Sequence, residues 1–358
     1  MRTIFISLLV TASALVSSVP QTAKELNIFQ EKIALQNAEN MFIDALNFYY
    51  ANETDKAINI YSKLIDEFEN STNQEIDVIT AHAMFNLALA YNKKNNAKAE
   101  RDLYRRIILK FINSNDTDIQ TVTANSLFNQ AIIAYHLNDT KSERAIYERL
   151  VDRFANTRNE NINVFLANAM ASLGYIYAQA DEKTEAVSIL NKLISKFENS
   201  KDEYMQILLV RAFVNLGVNY VDLGMLKEGL ASYQRLIERF KTSENADILQ
   251  SVGAAVTNKI ELEICSGLKP SFSDENEAIA NKSRYSQFMY EFLQILYSNE
   301  RRPDKLSAWA DKYSDFSFKN SNANFNFSDL DRWMEKLKNP EKKWAKECID
   351  ALKKFADK

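Results

Sequence analysis

The stretch YSKLIDEFENS, residues 61–71, returns almost unchanged as LNKLISKFENS at residues 190–200. The two copies are 129 residues apart, which is three times 43, and a step of 43 residues from Phe68 meets a phenylalanine at every position. These are Phe68, Phe111, Phe154, Phe197 and Phe240. Because a fixed period of this length is the mark of a repeat architecture, one structural unit recurs five times along the chain.

Further apolar columns keep the same 43-residue period. Seven residues before each phenylalanine stand Tyr61, Tyr104, Tyr147, Leu190 and Tyr233, and four before it stand Leu64, Ile107, Leu150, Leu193 and Leu236. Eight residues after it stand Ile76, Ile119, Ile162, Met205 and Ile248, with Ile33 as an earlier copy. Within a copy the spacing is that of one face of an amphipathic helix. Each unit is therefore predicted to be a long helix, a short polar turn and a shorter helix.

Very few residues interrupt these helices. Between Pro20 and Pro270 there is no proline, and the chain of 358 residues has only six glycines. Both residue types break helices or mark turns. A single helix pair cannot bury its apolar stripe alone, whereas stacked pairs form a continuous core. The sequence therefore predicts an all-α fold.

The repeat resembles the tetratricopeptide repeat (TPR) family, which places small and aromatic residues in a fixed order. That order is seen in Gly174, Tyr177, Ala186 and Leu190, in Gly217, Tyr220, Gly229 and Tyr233, and in Ala45, Phe48, Ala57 and Tyr61. The resemblance covers about residues 30–266 and implies a right-handed TPR-like α-solenoid of antiparallel helix pairs. The usual period is about 34 residues, so these are lengthened repeats of a kind familiar in bacterial members. We expect the extra residues to extend each long helix at its amino end.

The amino terminus has the pattern of a secretory signal peptide over residues 1–18. Arg2 precedes an apolar run at residues 4–16, and small residues at Ser17 and Ser18 offer a cleavage position. We therefore expect a secreted or periplasmic protein. The alternative is an uncleaved membrane anchor, although the run is shorter than the roughly 20 residues that a spanning helix needs.

The rest of the chain divides into two predicted regions. Residues 24–266 form the solenoid, with five full repeats and a sixth partial one, and residues 267–358 form a carboxyl-terminal helical region. We expect a loop at residues 266–277 and a helix at 284–299. The region contains all three tryptophans, and it is interpreted either as a helical cap on the solenoid or as a separate partner-binding module.

The two cysteines, Cys265 and Cys348, belong to different predicted regions. In an exported protein they are candidates for one disulfide, and two separate buried thiols are the alternative.

Composition and motifs argue against several functional classes. The net charge of −4 shows no basic excess, so no nucleic-acid partner is predicted. The histidines, His82 and His136, lack the further ligands or paired acid that a metal site or a proton shuttle needs. No phosphate-binding loop or nucleophile motif is present. We therefore predict neither an enzyme nor a cofactor nor a metal.

The resemblance implies that the long helices line a concave groove for a peptide or partner protein. The predicted groove residues are His82, Phe85, Asn86, Leu89, Asn125, Phe128, Asn129, Ile132, His136, Asn168, Tyr175, Arg211 and Asn215, with Val214 and Val218 beside them. One column is polar: Asn86, Asn129, Asn215 and Asn258, with Ser172 between. An amide both donates and accepts hydrogen bonds, so this column either bonds the main chain of a bound peptide or fixes the stacking of repeats. Phe85 and Phe128 are either apolar anchors or core residues.

These patterns favour an exported TPR-type scaffold that binds a protein or peptide partner in its groove. One alternative is a cytoplasmic or membrane-anchored adaptor. Another is an enzyme or ligand-binding protein with a site between the solenoid and the carboxyl-terminal helices. The sequence determines neither the identity of the partner nor the oligomeric state.

Overall fold

The computed structural model describes residues 23–297 and Lys312, with only the backbone described for residues 23–25, Cys265, Tyr285 and residues 295–297. All secondary structure in this part of the chain is helical. The described residues fall into two compact units that divide between Asp139 and Thr140. The predicted fold class, an all-α solenoid of antiparallel helix pairs, is confirmed.

Residues 23–139, the described part of the first unit, contain five helices. They are α1 (Ala23–Tyr50), α2 (Thr54–Phe68), α3 (Gln74–Lys93), α4 (Ala97–Phe111) and α5 (Thr117–His136). Each helix packs on the next one, and the long helices also pack on each other, α1 on α3 and α3 on α5. The long helices therefore form one layer and the short helices another.

The second unit continues the same alternation and then departs from it. Its helices are α6 (Thr140–Phe154), α7 (Glu160–Gln179), α8 (Lys183–Phe197), α9 (Glu203–Asp222), α10 (Leu226–Phe240), α11 (Ala246–Cys265), α12 (Asp274–Ala280) and α13 (Arg284–Tyr297). The long helices α7, α9 and α11 pack in sequence, with the short helices beside them. From α3 to α10 each long helix has 20 residues and each short helix 15, in the alternation of long and short helices that the sequence predicts.

The turns inside the helix pairs share one backbone device. At 43-residue intervals the second residue after each long helix has a positive φ of 56–73°. These residues are Asn52, Asn95, Asn138, Asp181, Gly224 and Gly267, counted as the second residue after each helix end. The next residue donates its N–H back across the turn, as Glu53 N does to Phe48 O at 2.9 Å. This is the Schellman ending, for which glycine and asparagine are suited.

The amino ends of the long helices explain why the repeat is lengthened. A residue with a short acceptor side chain precedes each of them: Asn73, Asp116, Asn159, Asp202 and Asn245. In the first case Asn73 Oδ1 accepts from Ile76 N at 3.1 Å. Such caps satisfy N–H groups that the helix leaves unpaired. The helix therefore begins inside the inserted segment, as the sequence predicted.

The apolar columns form the cores of both units. The phenylalanine column ends the short helices and is buried, and the column from Ile76 to Ile248 is buried to 0–5% exposure. In two pairs a glycine lies directly against a large residue of the partner helix. A Cβ on Gly217 would lie 2.5 Å from Tyr233 Cε1, and one on Gly174 would lie 2.6 Å from Leu190 Cδ2, so neither position has room for a larger side chain. Ile33 differs: it is exposed, so its assignment to the buried column was wrong.

The end of the second unit departs from the repeat. A short helix, α12, lies partly inside the segment predicted as a loop. Its amino end is capped by Ser273, whose Oγ accepts a hydrogen bond from Asn276 N at 3.2 Å. Helix α13 lies within the predicted helical segment and packs on α11, where a Cβ on Gly253 would meet Ser286 Oγ at 2.7 Å. Phe288 and Phe292 are fully buried, so the described part of this junction is tightly packed. The predictions for residues 1–22 and most of 298–358 lie outside the described residues.

Candidate functional site

The predicted groove residues of the first unit lie together on its layer of long helices, which we call the unit-1 face. It consists of His82, Phe85, Asn86 and Leu89 on α3 and Asn125, Phe128, Asn129, Ile132 and His136 on α5. All are half-buried except His136, which is exposed. Most of this face is thus partly used by the packing of the unit itself.

Two aromatic residues of the unit-1 face are packed against neighbouring rings. The Phe85 ring lies 5.7 Å from that of Tyr104, which favours core packing over a free anchor. The His82 ring lies edge-on to Phe42 at 6.4 Å. Burial lowers the pKa of His82, and the negative charges of Asp118 and Asp116 partly oppose this.

The polar column lies beside the tyrosines of the short helices. Three members face the hydroxyl of the tyrosine 25 residues earlier on the preceding short helix: Asn86 faces Tyr61, Ser172 faces Tyr147, and Asn258 faces Tyr233. Burial raises the pKa of each tyrosine, and the polar neighbour offsets part of that rise. These contacts favour the interpretation that the column fixes repeat stacking.

Asn129 is engaged in a different way. Its Nδ2 donates to Asn125 O at 2.9 Å and to Asn125 Oδ1 at 2.7 Å, both on α5. The amide therefore bonds along its own helix.

Asn215 is the exception in the column. The residue 25 positions before it is Leu190, which has no hydroxyl to face the amide. Within the described part of the chain, the Asn215 side chain has no hydrogen-bond partner, although it is half-buried. Since an amide carries both donors and an acceptor, this side chain can still bond a partner molecule.

The predicted groove residues of the second unit lie on α7 and α9, which pack on each other; we call this surface the unit-2 face. Asn168 and Tyr175 are on α7, and Arg211 and Asn215 are on α9. Tyr175 is 59% exposed and the neighbouring Val218 is 42% exposed. Arg211 is exposed and has no ion-pair partner among the described residues. The unit-2 face therefore combines exposed apolar groups with an unpaired cation.

Sequence reasoning missed one residue of the unit-2 face, Tyr204. Its hydroxyl donates to Asn168 Oδ1 at 2.7 Å, and Asn168 Nδ2 donates to Val164 O at 2.7 Å. Both the oxygen and the nitrogen of the Asn168 side-chain amide are therefore already hydrogen-bonded within the protein. The sequence did contain a signal for Tyr204, because it is the aromatic member of an otherwise polar column. The equivalent positions in the other repeats hold Glu75, Asp118, Asn161 and Asp247.

One polar cluster lies away from both faces, between α11 and the segment that follows it. Lys259 Nζ donates to Ser271 Oγ at 2.6 Å and pairs with Glu263 Oε1 at 2.9 Å. Glu263 Oε2 also accepts from Ser271 N at 2.7 Å. A lysine that activates a serine must be neutral, whereas this one is paired with a carboxylate. The cluster therefore fastens the segment to α11.

The remaining sequence predictions concern metal binding, a membrane anchor and a disulfide. Among the described residues, no group of three or more His, Cys, Asp and Glu side chains is placed to hold a metal ion. Of the helices described, none has the length and apolarity to cross a membrane. Cys265 ends α11, but its side chain and Cys348 lie outside the described residues, so the disulfide stays a prediction.

Comparison with known proteins gives a family match for the repeats. One family model described as tetratricopeptide repeat matches residues 45–116. A second model with the same description matches residues 125–157, 169–200 and 211–243. None of the curated protein sequences matches the chain.

Several solved structures resemble the chain at low sequence identity. Aspartyl phosphate phosphatase F from Bacillus subtilis is 13% identical, with 96% of this chain and 97% of that chain covered and a TM-score of 0.45. The apo form of RapI is 13% identical, with coverages of 89% and 97% and a TM-score of 0.48. The pilF protein of Pseudomonas aeruginosa is 14% identical, with coverages of 76% and 97% and a TM-score of 0.39.

Proposed function

We propose that this chain, whose repeats match family models of the tetratricopeptide repeat, is an exported scaffold that binds an extended peptide segment on the unit-2 face. Export is inferred from the signal-peptide pattern of residues 1–18. The unit-1 face is expected to contribute less to binding. Its Phe85 ring packs against Tyr104, and its Asn129 amide is hydrogen-bonded to Asn125.

The unit-2 face is proposed as the binding site because of a stripe of side chains on α9. Arg211, Asn215 and Val218 follow the i, i+4, i+7 spacing, so they lie on one side of α9. The guanidinium has no ion-pair partner and the amide has no hydrogen-bond partner among the described residues. An exposed stripe of cation, amide and apolar side chain is therefore available to a bound molecule.

The side chains of this stripe define the chemistry of the partner. A guanidinium binds a carboxylate in a two-bond geometry. The Asn215 amide can pair with a main-chain N–H and C=O. Tyr175 and Val218 offer apolar contact area beside them. The expected partner segment is extended and places an acidic residue close to an aromatic or large aliphatic one.

Peptide phage display on the immobilised mature chain tests this chemistry directly. We expect the selected peptides to be enriched in an Asp or Glu within a few residues of a large apolar residue. Arg211→Gln should weaken their binding by about 10- to 100-fold, since hydrogen bonds to charged groups contribute about 1.5–3 kcal/mol.

The matched control is Arg149→Gln, because Arg149 is exposed on α6 and its loss changes the net charge equally. Binding that survives R211Q as well as it survives R149Q would place the peptide site elsewhere. Selected peptides without acidic residues would contradict the role of the guanidinium.

Export is tested separately by the intact mass of the protein recovered from its own cells. A mass that lacks residues 1–18, together with recovery from the periplasmic or culture fraction, is the expected result. A full-length mass in the cytoplasmic or membrane fraction would favour the adaptor alternative instead.

A further inference from the structure

One repeat departs from the others where its short helix meets the neighbouring long helices. The tyrosine of the short helix is replaced there by Leu190 on α8, which is fully buried. Its side chain ends against α7, since a Cβ on Gly174 would lie 2.6 Å from Leu190 Cδ2. In the next repeat a Cβ on Gly217 would lie 2.6 Å from Tyr233 Cζ, and the hydroxyl extends one bond beyond that atom. Leu190 therefore lacks the polar group that a tyrosine carries at this position.

The other repeats show what lies beside that tyrosine hydroxyl. On the following long helix, 25 residues later, a polar side chain is close enough to offset part of the rise in the tyrosine pKa that burial causes. The pairs are Tyr61 with Asn86, Tyr147 with Ser172 and Tyr233 with Asn258. The residue 25 positions after Leu190 is Asn215 on α9. It keeps the amide of the column but has no hydroxyl beside it.

A second amide, Asn219, follows Asn215 one turn later on α9. Its side chain is 3% exposed. Its Nδ2 donates to Asn215 O at 2.7 Å, whereas its buried Oδ1 has no hydrogen-bond partner among the residues that the structure describes. The equivalent positions on α3, α5, α7 and α11 are apolar: Ala90, Ile133, Ile176 and Leu262. Of these five helices, the one that follows a short helix without the tyrosine is thus also the one with an additional amide.

These amides call for a hydrogen-bonding group that the described residues do not supply. An amide carries two donor hydrogens and an acceptor oxygen, and a hydroxyl both donates and accepts. Because a buried polar group without a partner is unfavourable, a hydroxyl that reaches this place is bound. Ala186 and Leu190 are fully buried on the α8 side. The hydroxyl must then come from the unit-2 face, where Asn215 is half-buried and Arg211 is exposed.

We propose that the Asn215 amide binds a hydroxyl group of the bound peptide, supplied by a serine, threonine or tyrosine side chain. This inference rests on the proposed function, in which the unit-2 face binds an extended peptide, and it adds a second specificity position beside Arg211. Asn215 is about 6 Å from Arg211 along the helix axis. The hydroxyl residue is therefore expected within a few residues of the acidic one. With two donors and an acceptor, the amide still has capacity for a main-chain group.

Leu190→Tyr tests the inference, because it supplies the missing hydroxyl from within the chain. Leu190→Phe is the matched control, since it adds the same ring without the hydroxyl. Gly174 lies against position 190 as Gly217 lies against Tyr233, so the fold already accommodates such a ring. Binding of a peptide selected by phage display on the normal chain is measured by fluorescence anisotropy. L190Y should bind it about five- to tenfold more weakly than L190F does.

The peptide supplies the other half of the test. Its hydroxyl residue is replaced by the matching apolar one, which is alanine for serine, valine for threonine and phenylalanine for tyrosine. This change should weaken binding to the normal chain and to L190F by about five- to tenfold, and leave binding to L190Y unchanged. Asn215→Leu, which removes the amide without adding a ring, should likewise make binding insensitive to the change. Circular dichroism confirms that each variant is folded.

The outcomes separate this inference from the proposed function. Peptides that depend on Arg211 but lack a hydroxyl residue overturn the inference and leave the proposed function standing. The same holds if the peptide change weakens binding to N215L as much as to the normal chain. Binding that R211Q does not weaken, or a selection that returns no peptide, contradicts the proposed function and this inference with it.

Discussion

The long-helix faces of the two units share one backbone pattern but differ in the chemistry they expose. On the unit-1 face, Asn86 lies beside the Tyr61 hydroxyl and Asn129 donates to Asn125. On the unit-2 face, Asn215 and Arg211 have no such partner among the described residues. The difference at Asn215 arises from one replacement, Leu190 in a column of tyrosines. A repeat protein can therefore free a binding group by changing the residue opposite it.

The interiors of the two units also differ at equivalent positions. In the first unit the equivalent positions hold Ala88 and Tyr104, both fully buried, whereas in the second Gly217 stands against Tyr233. Gly217→Ala should lower the free energy of unfolding by about 1–3 kcal/mol, because the new Cβ would lie within 2.6 Å of two ring atoms. Urea denaturation followed by circular dichroism measures the change.

The reciprocal substitution sharpens this comparison. Ala88→Gly should cost about 1 kcal/mol through helix propensity alone. The same propensity favours alanine at position 217, so any loss in G217A comes from the clash. A G217A variant as stable as the normal chain would mean that Tyr233 has room to move and that the two pairs are interchangeable.

A second difference is the half-buried imidazole of His82 on the unit-1 face. Because burial lowers the pKa of His82 below its ordinary value of 6.5, protonation favours the unfolded state. Above pH 6.5 His82 is neutral in both states, and its contribution to the free energy of unfolding is fully present. That contribution is lost as the pH falls from 6.5 through the lowered pKa of the folded state. The free energy of unfolding should therefore fall between pH 7 and pH 5, and His82→Gln should reduce that fall.

His136 supplies the comparison for this experiment, since it is exposed at the end of α5. The change in unfolding free energy from pH 7 to pH 5 is measured for H82Q, H136Q and the normal chain. If H82Q and H136Q lose the same stability on acidification, burial of His82 does not govern the pH response.

The smallest expected effects concern a feature that the two units share. Arg106 pairs with Glu69 at 2.7 Å, and Arg235 pairs with Glu198 at 3.0 Å, at positions three repeats apart. Both pairs are largely exposed, so Glu69→Gln and Glu198→Gln should each change the unfolding free energy by about 0–1 kcal/mol. Thermal melts at low and high salt measure this. A large loss in one variant only would show that the two units differ here as well.

The regular part of the fold follows from the sequence because it repeats. Five copies of each column specify helix length, the buried faces and the turn positions, and the column from Ile76 to Ile248 is buried as expected. Position in the repeat does not reveal what packs against a given residue, and Ile33 keeps the period although it is exposed. The short helix α12 was missed because its seven residues lie outside the period and depend on the cap at Ser273.

The candidate site was predictable only in part. The period indicates which residues share the long-helix face, and the structure has Tyr175 on α7 and Arg211 and Asn215 on the neighbouring helix α9. It does not show which polar groups are already bonded, since this depends on residues far away in sequence. The bond between Tyr204 and Asn168, for example, joins two helices across 36 residues.

The evenly spaced left-handed turns make the chain modular at the level of its gene. Joining Asn52 directly to Asn96 removes 43 residues and leaves a positive-φ residue, its Schellman bonds and the following short helix in place. A deletion of another length would leave a long helix without its ending or a short helix without its start. Loss or duplication of a segment between two such turns therefore gives a chain whose every helix still has its proper ends, so the number of repeats can change in a single genetic step.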